Sequence, residues 1–113
     1  MTIKAALPIG PVELLASDTT IINISSIPAY TRYRVEGFNI HNTTGAPITV
    51  TFYYSPDTTS ASGSEIAVIT LGALENDDVN AIIGQGREDN IIAVATAVGV
   101  NATMTYVGFG GDD

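Results

Sequence analysis

The clearest pattern of apolar and polar positions in the chain is Ile48-Thr49-Val50-Thr51-Phe52-Tyr53-Tyr54, which alternates with a period of two. Successive side chains of a strand point to opposite faces, so Ile48, Val50, Phe52 and Tyr54 share one face and Thr49, Thr51 and Tyr53 the other. All of them are β-branched or aromatic, the types that fit a pleated, half-buried surface. Upstream, Thr31 to His41 carries Tyr33 and Val35 on one parity and Phe38 and Ile40 on the other. One extra residue at Glu36-Gly37, a β-bulge, brings all four onto the same face. Between the two stretches lies Asn42-Thr43-Thr44-Gly45-Ala46, a polar turn with a glycine available for positive φ. The pattern predicts a hairpin over Tyr30 to Tyr54 with one apolar face. Such a face needs a second layer to cover it.

The rest of the chain supplies candidates for that layer. Residues 1–10 show neither period and are expected to form an irregular N-terminal arm. Pro11 to Ala16 reads as a short edge strand, which tolerates proline at its first position. Thr20 to Ser25 reads as a strand with Ile22 and Ile24 on one face, and Ile27-Pro28-Ala29 turns the chain. The Asp, Thr, Ser and Gly of 57–63 predict a mobile loop. In Glu65 to Leu71 the run Ile66-Ala67-Val68-Ile69 implies burial on both faces. Gly72 to Asp78 reads as an acidic turn, Val79 to Ile83 as a short strand and Gly84-Gln85-Gly86-Arg87 as a β-turn. Asn90 to Val98 places Ile92, Val94 and Val98 on one face and Ala93, Ala95 and Ala97 on the other. Ala102 to Phe109 is the last strand, and 110–113 is a Gly/Asp tail. About eight short strands without helical periodicity predict an all-β fold, a single antiparallel β-sandwich of jelly-roll or immunoglobulin-like type over 11–109.

Composition narrows the classes. At 113 residues the chain has the length of one domain. No apolar run approaches the roughly 18 residues of a spanning helix, so a membrane partner is not expected. No hydrophobic signal segment follows Met1, so the chain is expected to stay where it is made. The net charge is −8, and from Asp57 onward only Arg87 opposes the acids. That field repels nucleic acid. Only 14% of residues are charged although 45% are hydrophobic. Part of the surface is therefore expected to be covered by neighbours.

Little in the sequence points to a reaction. There is no cysteine and a single histidine, His41. This excludes disulfides, Cys–His catalysis and multi-histidine metal sites within one chain. Glu75, Asp77 and Asp78 form one acidic cluster and Glu88 and Asp89 another, neither with EF-hand spacing. They are read as solvated turn acids, and no metal or cofactor is expected. Gly84-Gln85-Gly86-Arg87 lacks the glycines of a phosphate loop. Tyr33 and Tyr53 are candidate sugar-stacking residues, although cross-strand packing also accounts for them.

A resemblance rests on Thr20-Ile-Ile-Asn-Ile, Ile27-Pro28-Ala29-Tyr30-Thr31-Arg32-Tyr33-Arg34-Val35, and Ile40-His41-Asn42-Thr43-Thr44-Gly45 followed by Ile48-Thr49-Val50-Thr51. With Glu88 to Val94 and Ala102 to Phe109, these runs resemble a β-sandwich unit recurrent in structural proteins of tailed-bacteriophage virions. The resemblance implies a structural role in a virion. The leading expectation is a non-enzymatic decoration or cement protein on the outer head surface, partnered with the major capsid protein or another virion protein. The alternatives are a minor tail or neck subunit and a carbohydrate-binding module. Self-association is expected, as a trimer. Its candidate contacts are Ile3, Leu7 and Ile9 of the apolar arm and the small-residue face Ala93, Ala95 and Ala97.

Overall fold

A computed structural model of the chain describes residues 7–26 and 31–109. The first six residues of the expected arm, the expected turn at 27–29 with Tyr30 after it, and the expected tail 110–113 lie outside the described residues. Nine strands follow in chain order: β1 (Leu7–Leu14), β2 (Thr19–Ile22), β3 (Arg32–Asn42), β4 (Ile48–Ser55), β5 (Ser64–Leu71), β6 (Asn76–Asp78), β7 (Gly86–Arg87), β8 (Asn90–Ala95) and β9 (Val100–Phe109). They form two antiparallel sheets, one ordered β1-β9-β3-β6 with β7 also on β3, the other ordered β2-β8-β4-β5. The all-β sandwich expected from periodicity is the observed fold.

The hairpin is not. β3 pairs with β9, β6 and β7, whereas β4 pairs with β5 and β8, so the two expected arms belong to different sheets. Residues 43–47 carry the chain across the sandwich, and the two apolar faces meet through the core instead of lying side by side. Buried Asn42 builds this corner. Its amide nitrogen donates to the carbonyls of Ala46 (2.7 Å), Gly72 (3.0 Å) and Leu71 (3.3 Å). Its Oδ1 accepts from the Thr44 amide (2.9 Å) and hydroxyl (2.7 Å). Backbone groups that a paired turn would satisfy across a ladder are satisfied here by one side chain.

The bulge is where the parity argument puts it. Val35 pairs with Tyr106 and Gly37 with Thr105, leaving Glu36 as the additional residue. Tyr33, Val35, Phe38 and Ile40 all lie in the core as a result. A second irregularity interrupts β1 between Ile9 and Val12, so that Leu7, Ile9, Val12 and Leu14 all turn toward the core. Gly10 sits in it at φ 95°, where an added Cβ would collide with the Ala102 carbonyl oxygen.

Several local expectations need correction. The first strand begins at Leu7, ahead of the expected Pro11, because its side chains find partners on β9. Val79 to Ile83 is a turn, with the amides of Ile82 and Ile83 both donating to the Val79 carbonyl. Its spacing of three sends Val79 and Ile82 into the core together, a helical and not a strand-like placement. Parts of the two expected turns, at 76–78 and 86–87, pair with β3 as β6 and β7. β5 is an edge strand, not one buried on both faces, and its Val68 is 55% exposed. Ile24 lies in a short 3₁₀ turn beyond β2, and Ile21 and Ile22 are both buried across a register shift.

Candidate assembly surfaces

The expected contact residues are only partly available. Ala93 and Ala95 are buried in the core. Register explains it: Ala93 lies beside Phe52 and Ala95 beside Val50, so small side chains on β8 make room for large ones on β4. The close approach that these alanines permit is that of the opposite sheet, not of another subunit. Ala97 is exposed in the β8–β9 turn. Leu7 and Ile9 belong to β1 and pack against the core, half-buried. Ile3 lies outside the described residues.

The two tyrosines do not share a surface. Tyr33 points inward from β3, its ring edge-on to Tyr106 at 6.4 Å and its hydroxyl donating to the Asp89 carbonyl at 2.7 Å. Burial, reinforced by the nearby Asp89 carboxylate, raises its pKa well above the ordinary phenol range. Tyr33 is fully buried and cannot hold a sugar. Tyr53 is half-buried on the outer face of the other sheet, beside Ile92. A platform made by both is excluded.

Next to Tyr33 stands a second fixed group. The Arg87 guanidinium lies 3.6 Å over the Tyr54 ring and binds Asp89 through two hydrogen bonds, Nε to Oδ1 at 2.9 Å and Nη2 to Oδ2 at 2.6 Å. This is the fork geometry for which arginine suits carboxylates. The Asp89 bond, more than any other contact, raises the Arg87 pKa, while burial raises that of Tyr54. The arrangement closes one end of the sandwich, and its charges neutralise each other.

The loop 57–63 is tied down by hydrogen bonds at several points. The Ser60 amide (3.0 Å) and hydroxyl (2.6 Å) donate to Asp18, and the Thr59 amide and hydroxyl donate to Asp57 at 2.8 Å each. Asn90 bridges the Ile24 amide and the Asp57 carbonyl at 2.9 Å each. The acidic clusters are likewise used locally, Glu75 accepting the Gly72 amide and Asp78 the Asn39 side-chain amide. Among the described residues, no three His, Asp or Glu side chains gather closely enough to hold a metal ion. His41 lies at the far end of β3, paired with Asn101 and Asn76.

What remains is an apolar end. The loops joining β1 to β2, β3 to β4, β5 to β6 and β8 to β9 all close the same end of the sandwich. They carry Leu15, Leu74 and Val98, which are 41%, 66% and 56% exposed. Leu74 has φ +60°, a left-handed conformation unusual for leucine. Its amide donates to the Thr44 carbonyl at 3.0 Å, and on the other side Thr43 binds the Gly99 carbonyl through both its amide and its hydroxyl. Leu74 and Val98 therefore flank one turn. The sequence reading missed this end, although the signal was present as large apolar residues inside turn segments, in Gly72-Ala73-Leu74-Glu75 and Ala97-Val98-Gly99.

No protein-family model matches the sequence, and no curated protein is significantly similar to it. Among solved structures, the chain is similar to one described under the words "Bacillus endospore appendages form a novel family of disulfide-linked pili". The two share 14% sequence identity at a TM-score of 0.55, over 98% of this chain and 90% of the other, a likeness of fold.

Proposed function

We propose that this chain is a non-enzymatic structural subunit that assembles with copies of itself. The observation that carries the reading is the apolar end: large side chains exposed together in turns, one of them held in a strained backbone conformation. Exposed apolar patches rimmed by polar residues mark interaction sites, and strain of about 1–3 kcal/mol persists where surrounding structure imposes it. The fold shared with a pilus protein supports the same class. This chain has no cysteine, so an assembly of it does without disulfides.

The finer reading, a decoration protein on a phage head acting in the virion, rests on the sequence resemblance. A ring of three copies is one closed form that such a subunit takes. Sedimentation velocity and negative-stain electron microscopy of the purified chain test the general reading, with ordered multimers expected. A monomer at every concentration removes it. Ordered multimers of the chain alone favour an appendage-like polymer, whereas small rings that bind only when mixed with phage heads favour decoration.

A further inference from the structure

The sheet edges of this sandwich are not equally protected. β1 carries Pro8 and Pro11, which have no N–H to give, and its ladder is broken between Ile9 and Val12. β2 has four residues, β6 three that include Asp77 and Asp78, and β7 two. Proline, acids, bulges and shortness are what keep an edge from pairing with another chain. β5 has little of this. It is eight residues long without proline, and Glu65 is its single charged residue. Ile66 is the additional residue at its register shift, so 67–71 run in unbroken register with β4. Among the described residues β5 pairs with β4 alone. Its inward-facing Ala67 and Ile69 pack on the core yet stay half-buried, and outward-facing Val68 is 55% exposed. A strand laid along this edge pairs the N–H and C=O groups that point away from β4 and covers those side chains.

Length and charge select the occupant. An open edge is matched by another open edge, and of the described strands only β5 offers one of this length free of proline. The chain carries a net charge of −8, so two copies repel except where the surfaces that meet are uncharged. The stretch 67–71 is such a surface. Paired antiparallel with itself and centred on Ile69, it sets Val68 beside Thr70 and Ala67 beside Leu71. Each pair joins residues of one parity, core-facing with core-facing and outward with outward, as a continuous sheet requires. Glu65 of each copy lies beyond the end of the paired stretch, so no acid faces an acid.

We infer that β5 of one copy pairs antiparallel with β5 of a second, about a two-fold axis at Ile69, and joins their four-stranded sheets into one. The contact is isologous, the same patch on both copies. This rests on the structural-subunit reading and adds a defined surface to it. β5 runs into the loop that carries Leu74, so an antiparallel pair presents its two apolar ends at opposite poles, both free for a further contact.

Two variants and one measurement on the wild type test it. Val68→Glu sets like charges close together across the axis, and in sedimentation velocity it weakens association at least about tenfold. Thr105→Glu adds the same charge on the exposed outer face of the other sheet and leaves association unchanged. Hydrogen exchange of the wild type reads the edge without any substitution: the amides of 67–71 that point away from β4 gain protection as the chain is concentrated. If the wild type assembles and Val68→Glu assembles equally well, the contact lies elsewhere while the subunit reading stands. If both variants are impaired alike, added charge and not the edge is responsible, and the inference fails. If Val68→Glu does not fold, exchange decides: an assembling wild type whose β5 amides ignore concentration overturns the inference. If the wild type is monomeric throughout, the inference and the reading fall together.

Discussion

The rings of Phe38 and Phe52 meet edge to face from opposite sheets, 5.3 Å between centroids and 73° between planes. Each is buried. Phe38 reaches the core only because the bulge at Glu36 reverses the parity of β3, and Phe52 has room because Ala93 lies beside it. Bulge, alanine and ring contact form one device that holds the two layers together.

Phe52→Ala is therefore expected to cost about 3–5 kcal/mol in chemical denaturation, the range for core aromatics. Thr51→Ala, on the outer face, is expected to cost under about 1 kcal/mol. A double-mutant cycle with Phe38→Ala should return a coupling of about 0.5–1.5 kcal/mol for the ring pair. Equal costs at 51 and 52 would contradict the parity.

Asn42 is irreplaceable for a different reason. Asn42→Ala leaves buried carbonyls of the corner unpaired, at about 1–3 kcal/mol for each group so stranded. Asn42→Asp turns a donor facing three carbonyls into an acceptor, so its folded-state pKa rises above the ordinary carboxylate value. Asn42→Asp should then be closest to wild type in acid and lose stability as pH rises. Thermal melts at several pH values read this directly, and a pH-independent difference between the two proteins would count against it.

The pinned loop makes a prediction of the opposite sign. Asp57 is held at about 2, first by the Thr59 amide, and Asp18 is lowered chiefly by the Ser60 hydroxyl. A carboxylate with a depressed folded pKa contributes stability that is present above its unfolded value, near 3.9. The contribution is lost as pH falls toward the folded value. Hydrogen-exchange protection of the Thr59 and Ser60 amides should decline between about pH 4 and pH 2, while that of Val50 in β4 is retained. Protection of Thr59 unchanged at pH 2 would mean that Asp57 does not anchor the loop.

Glycine is required at one bulge and not at the corner. Gly10→Ala meets both a positive φ and the Ala102 carbonyl. It should destabilise by more than about 1 kcal/mol. An added Cβ at Gly45 meets nothing within 4 Å, so Gly45→Ala should stay within about 0.5 kcal/mol. Comparable midpoints for the two variants would refute the backbone argument.

How far the chain could be read from its sequence depended on what periodicity encodes. Period two says which face a side chain occupies, and that placed the bulge and the inward set of β3 and β4. It does not say which strand is the neighbour. A hairpin and a cross-sandwich corner both follow two apolar arms joined by a polar turn, and only the buried contacts of Asn42 separate them. Side-chain size has the same ambiguity: Ala93 and Ala95 signal close approach without naming the layer that approaches. Val79 and Ile82 looked like a strand because both are apolar, yet their spacing of three was the better guide. The apolar end was legible in principle, since Leu74 and Val98 are large apolar residues inside turns, but a lone apolar residue in a turn has no period and so names no face.

The strand order has a consequence in time. β9 lies between β1 and β3, so the first of the described strands has its ladder partner in the last. During synthesis neither β1 nor the long β3 has its principal neighbour until β9 has been made. Non-local pairing of this kind slows folding and lengthens the interval in which strand edges stay open to wrong partners. A nascent chain stalled before Val100 holds one sheet in prospect and the other without its centre. The β1-β9-β3 ladder therefore closes only after Phe109 has been added, whereas the strands of the other sheet are all made by Ala95.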